Sequence, residues 1–124
     1  IDNDFSPSLS SKVSVSDYVD KISDKAELII EMSADVIVGL VVIYCNDVDG
    51  LTAYIPLVGV AREARGEGIA TRMMQHAIKL SKMKGMRRIL IHSNNAIAIG
   101  LYQNLGFCIL EGGERKLLEL NLKS

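Results

Sequence analysis

Two stretches of the chain carry residue types whose spacing could do chemistry. The first, Arg65-Gly66-Glu67-Gly68-Ile69-Ala70, joins a segment that reads as a strand to one that reads as a helix. Gly66 and Gly68 remove side chains where a backbone must turn tightly or approach a ligand. The first amides of a helix have no partner within it and point outward with the positive end of the dipole. Such a turn is an anion site that suits a pyrophosphate. Arg65 would add charge-assisted contacts, and Ala70 keeps the first turn slim. The same residues also fit a tight connection that meets no ligand. No Gly-Lys-Ser/Thr follows, so this is not a Walker A loop, and it is not a complete dinucleotide fingerprint. Nucleotide hydrolysis and hydride transfer are therefore disfavoured.

The second stretch runs from Asn95 to Phe107. Asn95 and Tyr102 stand nearly two helical turns apart and so share a helix face, which Ala98 keeps open. An amide there can hydrogen-bond an extended amide-bearing ligand, and a phenol can protonate a leaving group. The alternative is that Asn95 caps the helix and Tyr102 is a core aromatic with a satisfied hydroxyl. His92 ends a strand close to Asn95, either as a base or, on the plainer reading, satisfied by local hydrogen bonds. His76 falls on a polar helix face, and the five methionines read as core filler. Cys45 and Cys108 lie in apolar contexts. They form no disulfide framework or metal knuckle and read as reduced core thiols of a cytoplasmic protein.

The elements that must position these residues follow from pattern. Ser16-Asp17 would cap a short helix carrying Val19 and Ile22. Strands are expected at Ala26–Met32, Val36–Cys45 and Leu51–Val60, joined by turns at Ser33-Ala34-Asp35 and Asn46–Gly50; such short links suit antiparallel hairpins. From Gly68 to about Lys84 apolar residues recur at Ile69, Met73, Ala77 and Leu80, widened by Met74 and Ile78. That pattern predicts an amphipathic helix closed by Gly85. Arg88–His92 reads as a strand, Asn95–Leu105 as a helix stopped by Gly106, and Phe107–Leu110 and Lys116–Leu122 as strands.

At 124 residues and 48% apolar, the chain is sized for one α+β domain over 1–124. Its longest apolar run, Val36 to Cys45, falls short of the roughly 20 residues a membrane helix needs, so no membrane partner is expected. The chain opens at Ile1 rather than Met, shows no retained secretory signal, and an upstream element is an expectation. The net charge of −1 hides a split: residues 1–60 hold three Lys/Arg against ten Asp/Glu, residues 61–124 eleven against five. A small anion belongs beside the second half and a cationic group beside the first. Arg72, Lys79, Lys82, Lys84, Arg87 and Arg88 cluster without interleaved aromatics, so nucleic acid is not an expected partner.

Taken together, Arg65-Gly66-Glu67-Gly68-Ile69-Ala70 and the run Asn95-x-x-Ala98-x-x-Leu101-Tyr102-x-x-x-Gly106-Phe107 resemble the signatures of the GNAT superfamily of acyl-CoA-dependent N-acetyltransferases. The resemblance covers roughly residues 26–122; Arg62 stands where a Pro is common, and the N-terminal portion reads as shortened. It implies a mixed, mostly antiparallel sheet with a central splayed parallel strand pair, flanked by helices. Acetyl-CoA would lie in that splay, between Leu51–Val60 and Arg88–His92. Backbone groups of Val58 and Val60 would pair with the pantetheine arm. Amides of Arg65, Gly66, Glu67, Gly68, Ile69 and Ala70 would cradle the pyrophosphate, and Asn95 would orient the arm. A primary amine of a small molecule would attack the thioester, and Tyr102 would protonate the departing thiolate. No metal is implied, and homodimers are common in the family. The carboxylate that often serves as base is absent from Leu51–Val60, leaving the base unassigned, with a water wire to Asp47, Asp49 or Glu111 open. That absence also suits a second reading, a non-catalytic acyl-CoA-binding sensor or scaffold. Pro56 cannot donate to a ladder, so a bulge or strand end near it would fit the splay.

Overall fold

The computed structural model describes residues 26–47 and 49–122, so the expected Ser16-Asp17 helix and the shortened N-terminal portion lie outside the described residues. In chain order the elements are β1 (Glu27–Ser33), β2 (Val36–Tyr44), β3 (Thr52–Val60), α1 (Ile69–Met83), β4 (Arg88–Ser93), α2 (Ala96–Asn104), β5 (Cys108–Glu111) and β6 (Lys116–Asn121). The expected boundaries hold to within one residue. β1 and β2 form a two-residue hairpin in which Ser33 pairs with Val36. Ala34 and Asp35 carry φ of 50° and 68°, the left-handed pair that matches hairpin twist.

The strands make one six-stranded sheet in the order β1-β2-β3-β4-β6-β5. Among the described strands only β3 and β4 run parallel; the other pairs are antiparallel. The β-α-β path between them takes the chain through α1. The parallel register starts at Thr52/Arg88 and stops at Ile55/Ile91, although β3 continues to Val60 and β4 to Ser93. On the other side of β3 the register shifts between Leu57/Val42 and Tyr54/Tyr44, which puts one extra residue into β3 at Ile55-Pro56. Of the bulge or strand end expected near Pro56 it is the bulge that is present, and the two strands part just beyond it.

β2 is buried from Val38 through Ile43 rather than on alternate residues, because apolar side chains pack on both of its faces. Val41 and Ile43 join the main core with Ile55, Ile89 and Ile91. Leu40 and Val42 form a second cluster with Ala26, Leu28, Ile37 and Leu57. Helix α1 packs its inner face, Ile69, Met73, Met74, Ala77 and Ser81, on the main core. Ser81 is the one polar member, and its Oγ donates to the Ala77 carbonyl at 2.8 Å. Both helices close with paired bonds across the terminal glycine. In α1 the amides of Gly85 and Met86 donate to Lys82 and Ser81; in α2 those of Gly106 and Phe107 donate to Gln103 and Tyr102.

Two expectations about side chains need correction. Cys108 is exposed, not a core thiol, because β5 is the edge strand and all four of its residues face solvent. Cys45 is half-buried; burial pushes its thiol above the usual range, against the opposing hydrogen bond with Ser81 Oγ at 3.7 Å. Of the methionines, Met73, Met74 and Met86 are buried, but Met32 and Met83 are exposed at 52% and 76%. Met32 sits at the hairpin end of edge strand β1 and Met83 in the last turn of α1, where no described element covers them.

Gly39 sets how closely α1 approaches the sheet. A Cβ there would stand 2.8 Å from Met73 Cε and 2.9 Å from Ile69 Cγ2. Met73 can swing aside, but Ile69 is a branched residue in the first turn of α1. Gly39→Ala should therefore lower the free energy of unfolding by about 1–3 kcal/mol, read by urea denaturation. Parental stability in that variant would mean that α1 yields without cost.

Candidate active site

The glycine turn begins where β3 ends. Ala61 donates its amide to the Val38 carbonyl at 2.8 Å, holding the chain to β2 as it leaves the sheet. A single 3-10 turn follows over Arg62–Ala64, and Arg65 Nε reaches back to the Val60 carbonyl at 3.4 Å. Gly66 and Gly68 then adopt φ of 86° and 76°, which side-chain-bearing residues rarely take. A Cβ on Gly66 would meet nothing within 4 Å, so the outer side of the turn is open.

Gly68 is the N-cap of α1 and offers no side chain to cap it. The first amide that the helix satisfies is that of Arg72, which donates to the Gly68 carbonyl at 3.1 Å. The amides of Ile69, Ala70 and Thr71 precede it and lack an intrahelical acceptor. The start of α2 is different. Asn95 Oδ1 accepts the Ala98 amide at 3.0 Å, and Ser93 Oγ accepts the Asn95 amide at 3.1 Å. One helix carries a side-chain cap at its start, and the other has none, leaving its first amides open to an anion.

A cavity of about 460 Å³ lies against this open end. Val60, Arg65, Gly66, Gly68, Ile69, Ala70 and Asn95 line it, so seven of the ten residues singled out in the sequence converge on one space. Glu67, Val58 and Tyr102 are not part of that lining. Glu67 is exposed, and its carbonyl accepts Arg72 Nη1 at 3.2 Å. Val58 is buried in β3 opposite Val41, beyond the last parallel pair.

Tyr102 is 1% exposed, its hydroxyl is buried, and its ring lies 5.9 Å from that of Phe107. Asn95, Ala98 and Tyr102 do share a face of α2, with Asn95 taking the capping position weighed as its alternative role. Its Nδ2 group is not used in the cap.

Sequence reasoning missed Ala64, Thr71, Ile97 and Leu101 in the lining. Thr71 carries the third of the open amides, so helix geometry alone could have included it. Ile97 is 82% exposed in the first turn of α2, and an apolar residue in that place was the available signal. The suggested carboxylates stand elsewhere. Asp47 Oδ1 accepts the Gly50 amide at 2.8 Å in the turn that precedes β3, at the opposite end of that strand from the glycine turn. Glu111 sits opposite Leu117 on edge strand β5. His92 Nδ1 lies 3.0 Å from Tyr54 Oη, a hydroxyl 38 residues away on the neighbouring strand β3 rather than a local partner. His76 is exposed on α1, as expected.

Comparison with known proteins agrees with this geometry. Over 68 residues the chain is 37% identical to GCN5-related N-acetyltransferase 6, chloroplastic, of Arabidopsis thaliana, a stretch covering 53% of this chain and 24% of that protein. Over 60 residues it is 35% identical to N-alpha-acetyltransferase 30 of Schizosaccharomyces pombe, covering 47% and 40%. The chain thus spans well under two thirds of the curated relatives it matches. Its fold superposes on a GNAT family acetyltransferase from Elizabethkingia anophelis with acetyl-CoA bound, at a TM-score of 0.71 and 22% identity, over 90% of this chain and 83% of that one. The model of the acetyltransferase (GNAT) family matches residues 3–107, a span that holds both the glycine turn and the Asn95–Phe107 run, and the chain belongs to that family.

Proposed function

We propose that the chain moves an acetyl group from acetyl-CoA to a primary amine, by direct attack of the amine on the thioester. The observation that carries this reading is the ending of the β3–β4 ladder at Ile55/Ile91 beside an uncapped, glycine-built helix start. The residues present fit the cosubstrate. Open amides and the space beside Gly66 suit a pyrophosphate, and the parted strands leave a slot where an amide-bearing arm can pair with β3 near Val58 and Val60. The Val60 carbonyl already accepts Arg65 Nε, so its remaining backbone group is the amide. Asn95 can donate through Nδ2 while Oδ1 stays in the cap.

The chemistry asked of the protein is modest. A backbone amide on the parted strand would stabilise the developing oxyanion. Tyr102 would protonate the departing thiolate; a phenol near pKa 10 is matched to an alkyl thiol near about 8.5. What supports the role is that Tyr102 shares a face of α2 with Asn95, which lines the cavity, although its own hydroxyl is buried outside that lining. For the acceptor, we favour a small-molecule amine. The α-amino group of a peptide is the competing class, since one curated relative is named for N-alpha-acetylation. The second reading, an acyl-CoA-binding module without catalysis, is favoured by the absence of any Asp or Glu from β3.

Thiol release from acetyl-CoA in the presence of spermidine, glucosamine or a tetrapeptide bearing an α-amine should distinguish these readings. We expect turnover with at least one small amine. Tight CoA binding by calorimetry with no thiol release across the panel would support the binding module. Tyr102→Phe keeps the packed ring against Phe107 and should cut turnover about a hundredfold or more with CoA affinity intact. Unchanged turnover in that variant would remove Tyr102 from the mechanism.

A further inference from the structure

Gly66 and Gly68 hold positive φ, and glycine is also the residue freest to leave such a conformation. An anion site made of backbone needs its peptide planes held before the ligand arrives, and Gly68 brings no side chain to hold them. Arg72, one turn into α1, grips the turn twice. Its backbone amide donates to the Gly68 carbonyl at 3.1 Å, and its Nη1 donates to the Glu67 carbonyl at 3.2 Å. Both peptides are trans, so each amide hydrogen points away from the carbonyl of its own peptide. Two carbonyls drawn onto Arg72 therefore turn the amides of Gly68 and Ile69 the other way. A Cβ on Gly68 would stand 3.7 Å from Arg72 Nη1, whereas one on Gly66 would meet nothing within 4 Å. The guanidinium thus packs against one side of the turn and leaves the other side open.

The guanidinium is itself anchored. Its Nη2 donates to Glu31 Oε2 on β1 at 3.1 Å, so one planar fork spans a strand carboxylate and a turn carbonyl. A lysine ammonium does not reproduce that span. The charge of Arg72 is met by Glu31, and neither residue lines the cavity. We propose that Arg72, anchored by Glu31, is a positioning residue for the pyrophosphate of the cosubstrate: it fixes the Glu67–Gly68 and Gly68–Ile69 peptides so that their amides face the anion. This rests on the acyl-CoA reading above. Amides already held in place lose less freedom when the ligand binds, so the strap raises affinity without touching the ligand. An exposed ion pair adds little to stability, so the effect falls on binding rather than on folding.

The test is calorimetry of CoA binding to the full chain, with inorganic pyrophosphate as a competitor and thermal melting beside it. Arg72→Ala should weaken CoA about tenfold. Glu31→Ala, which leaves the guanidinium without its anchor, should weaken it about threefold. Pyrophosphate should lose affinity in step with CoA, while both melting temperatures stay near that of the parent. Lys84→Ala breaks the other ion pair between α1 and β1, at the far end of the helix, and should bind CoA as the parent does. Arg72→Ala binding CoA within about twofold of the parent would overturn the proposal while leaving the acyl-CoA reading standing. So would tighter CoA binding in Glu31→Ala, since a freed guanidinium would then be meeting phosphate itself. A loss in Lys84→Ala equal to that in Arg72→Ala would also overturn it, because general docking of α1 on β1 would explain both. A parent that binds no CoA removes the acyl-CoA reading and this one with it.

Discussion

The site depends on where one ladder stops. A parallel pair held to its full length would zip Val58 and Val60 to β4 and leave nothing for a ligand to pair with. Instead the register ends at Ile55/Ile91, at the residue before Pro56. Proline has no amide hydrogen to give a ladder, and the extra residue at Ile55-Pro56 bends β3 away from its neighbour. The candidate site residues are arranged around that departure. The glycine turn follows from the freed end of β3, Asn95 follows from the end of β4, and Tyr54 and His92 flank the last rung.

The helix that closes the site is placed by packing more than by charge. Gly39 lets Ile69 and Met73 settle onto β2, which fixes the first turn of α1 and with it the direction of the open amides. The ion pairs Arg72–Glu31 and Lys84–Glu27, at 3.1 and 3.0 Å, join α1 to edge strand β1. The hydrogen bond and charge of Glu27 hold the Lys84 ammonium above the usual lysine range. Both pairs lie on the surface, where such contacts contribute little and fade with salt. They do change the meaning of the charge split between the halves of the chain. Part of the acidic half faces part of the basic half within the fold, so what the site would offer an anion is chiefly its uncapped backbone amides.

Much of this was legible in the sequence because it is local. Turn residues, helix-ending glycines and period-3.6 apolar spacing act over a few residues, and they placed each described element to within one residue. The glycine turn and the Asn95 run were legible for the same reason, and seven of the residues they named line one cavity. What escaped depends on which strands become neighbours. The exposure of Cys108 follows from β5 being an edge, and hydropathy does not reveal edges. The meeting of Tyr54 and His92, 38 residues apart, needs the parallel register, and nothing in either local context announces it. Ser81 reads as polar but completes the i, i+4 row begun by Ile69, Met73 and Ala77, bonding back to the Ala77 carbonyl.

The central claim is that an interrupted ladder and an uncapped helix start together hold acyl-CoA. Amide hydrogen exchange of the full chain with and without acetyl-CoA tests it residue by residue. The account predicts slowed exchange at Val58 and Val60 and at the amides from Gly66 through Thr71. Exchange in β1, and at the already capped Ala98 amide of α2, should be unchanged. Saturating acetyl-CoA that leaves the Gly66–Thr71 amides exchanging as before, or that protects a different part of the sheet, would contradict it.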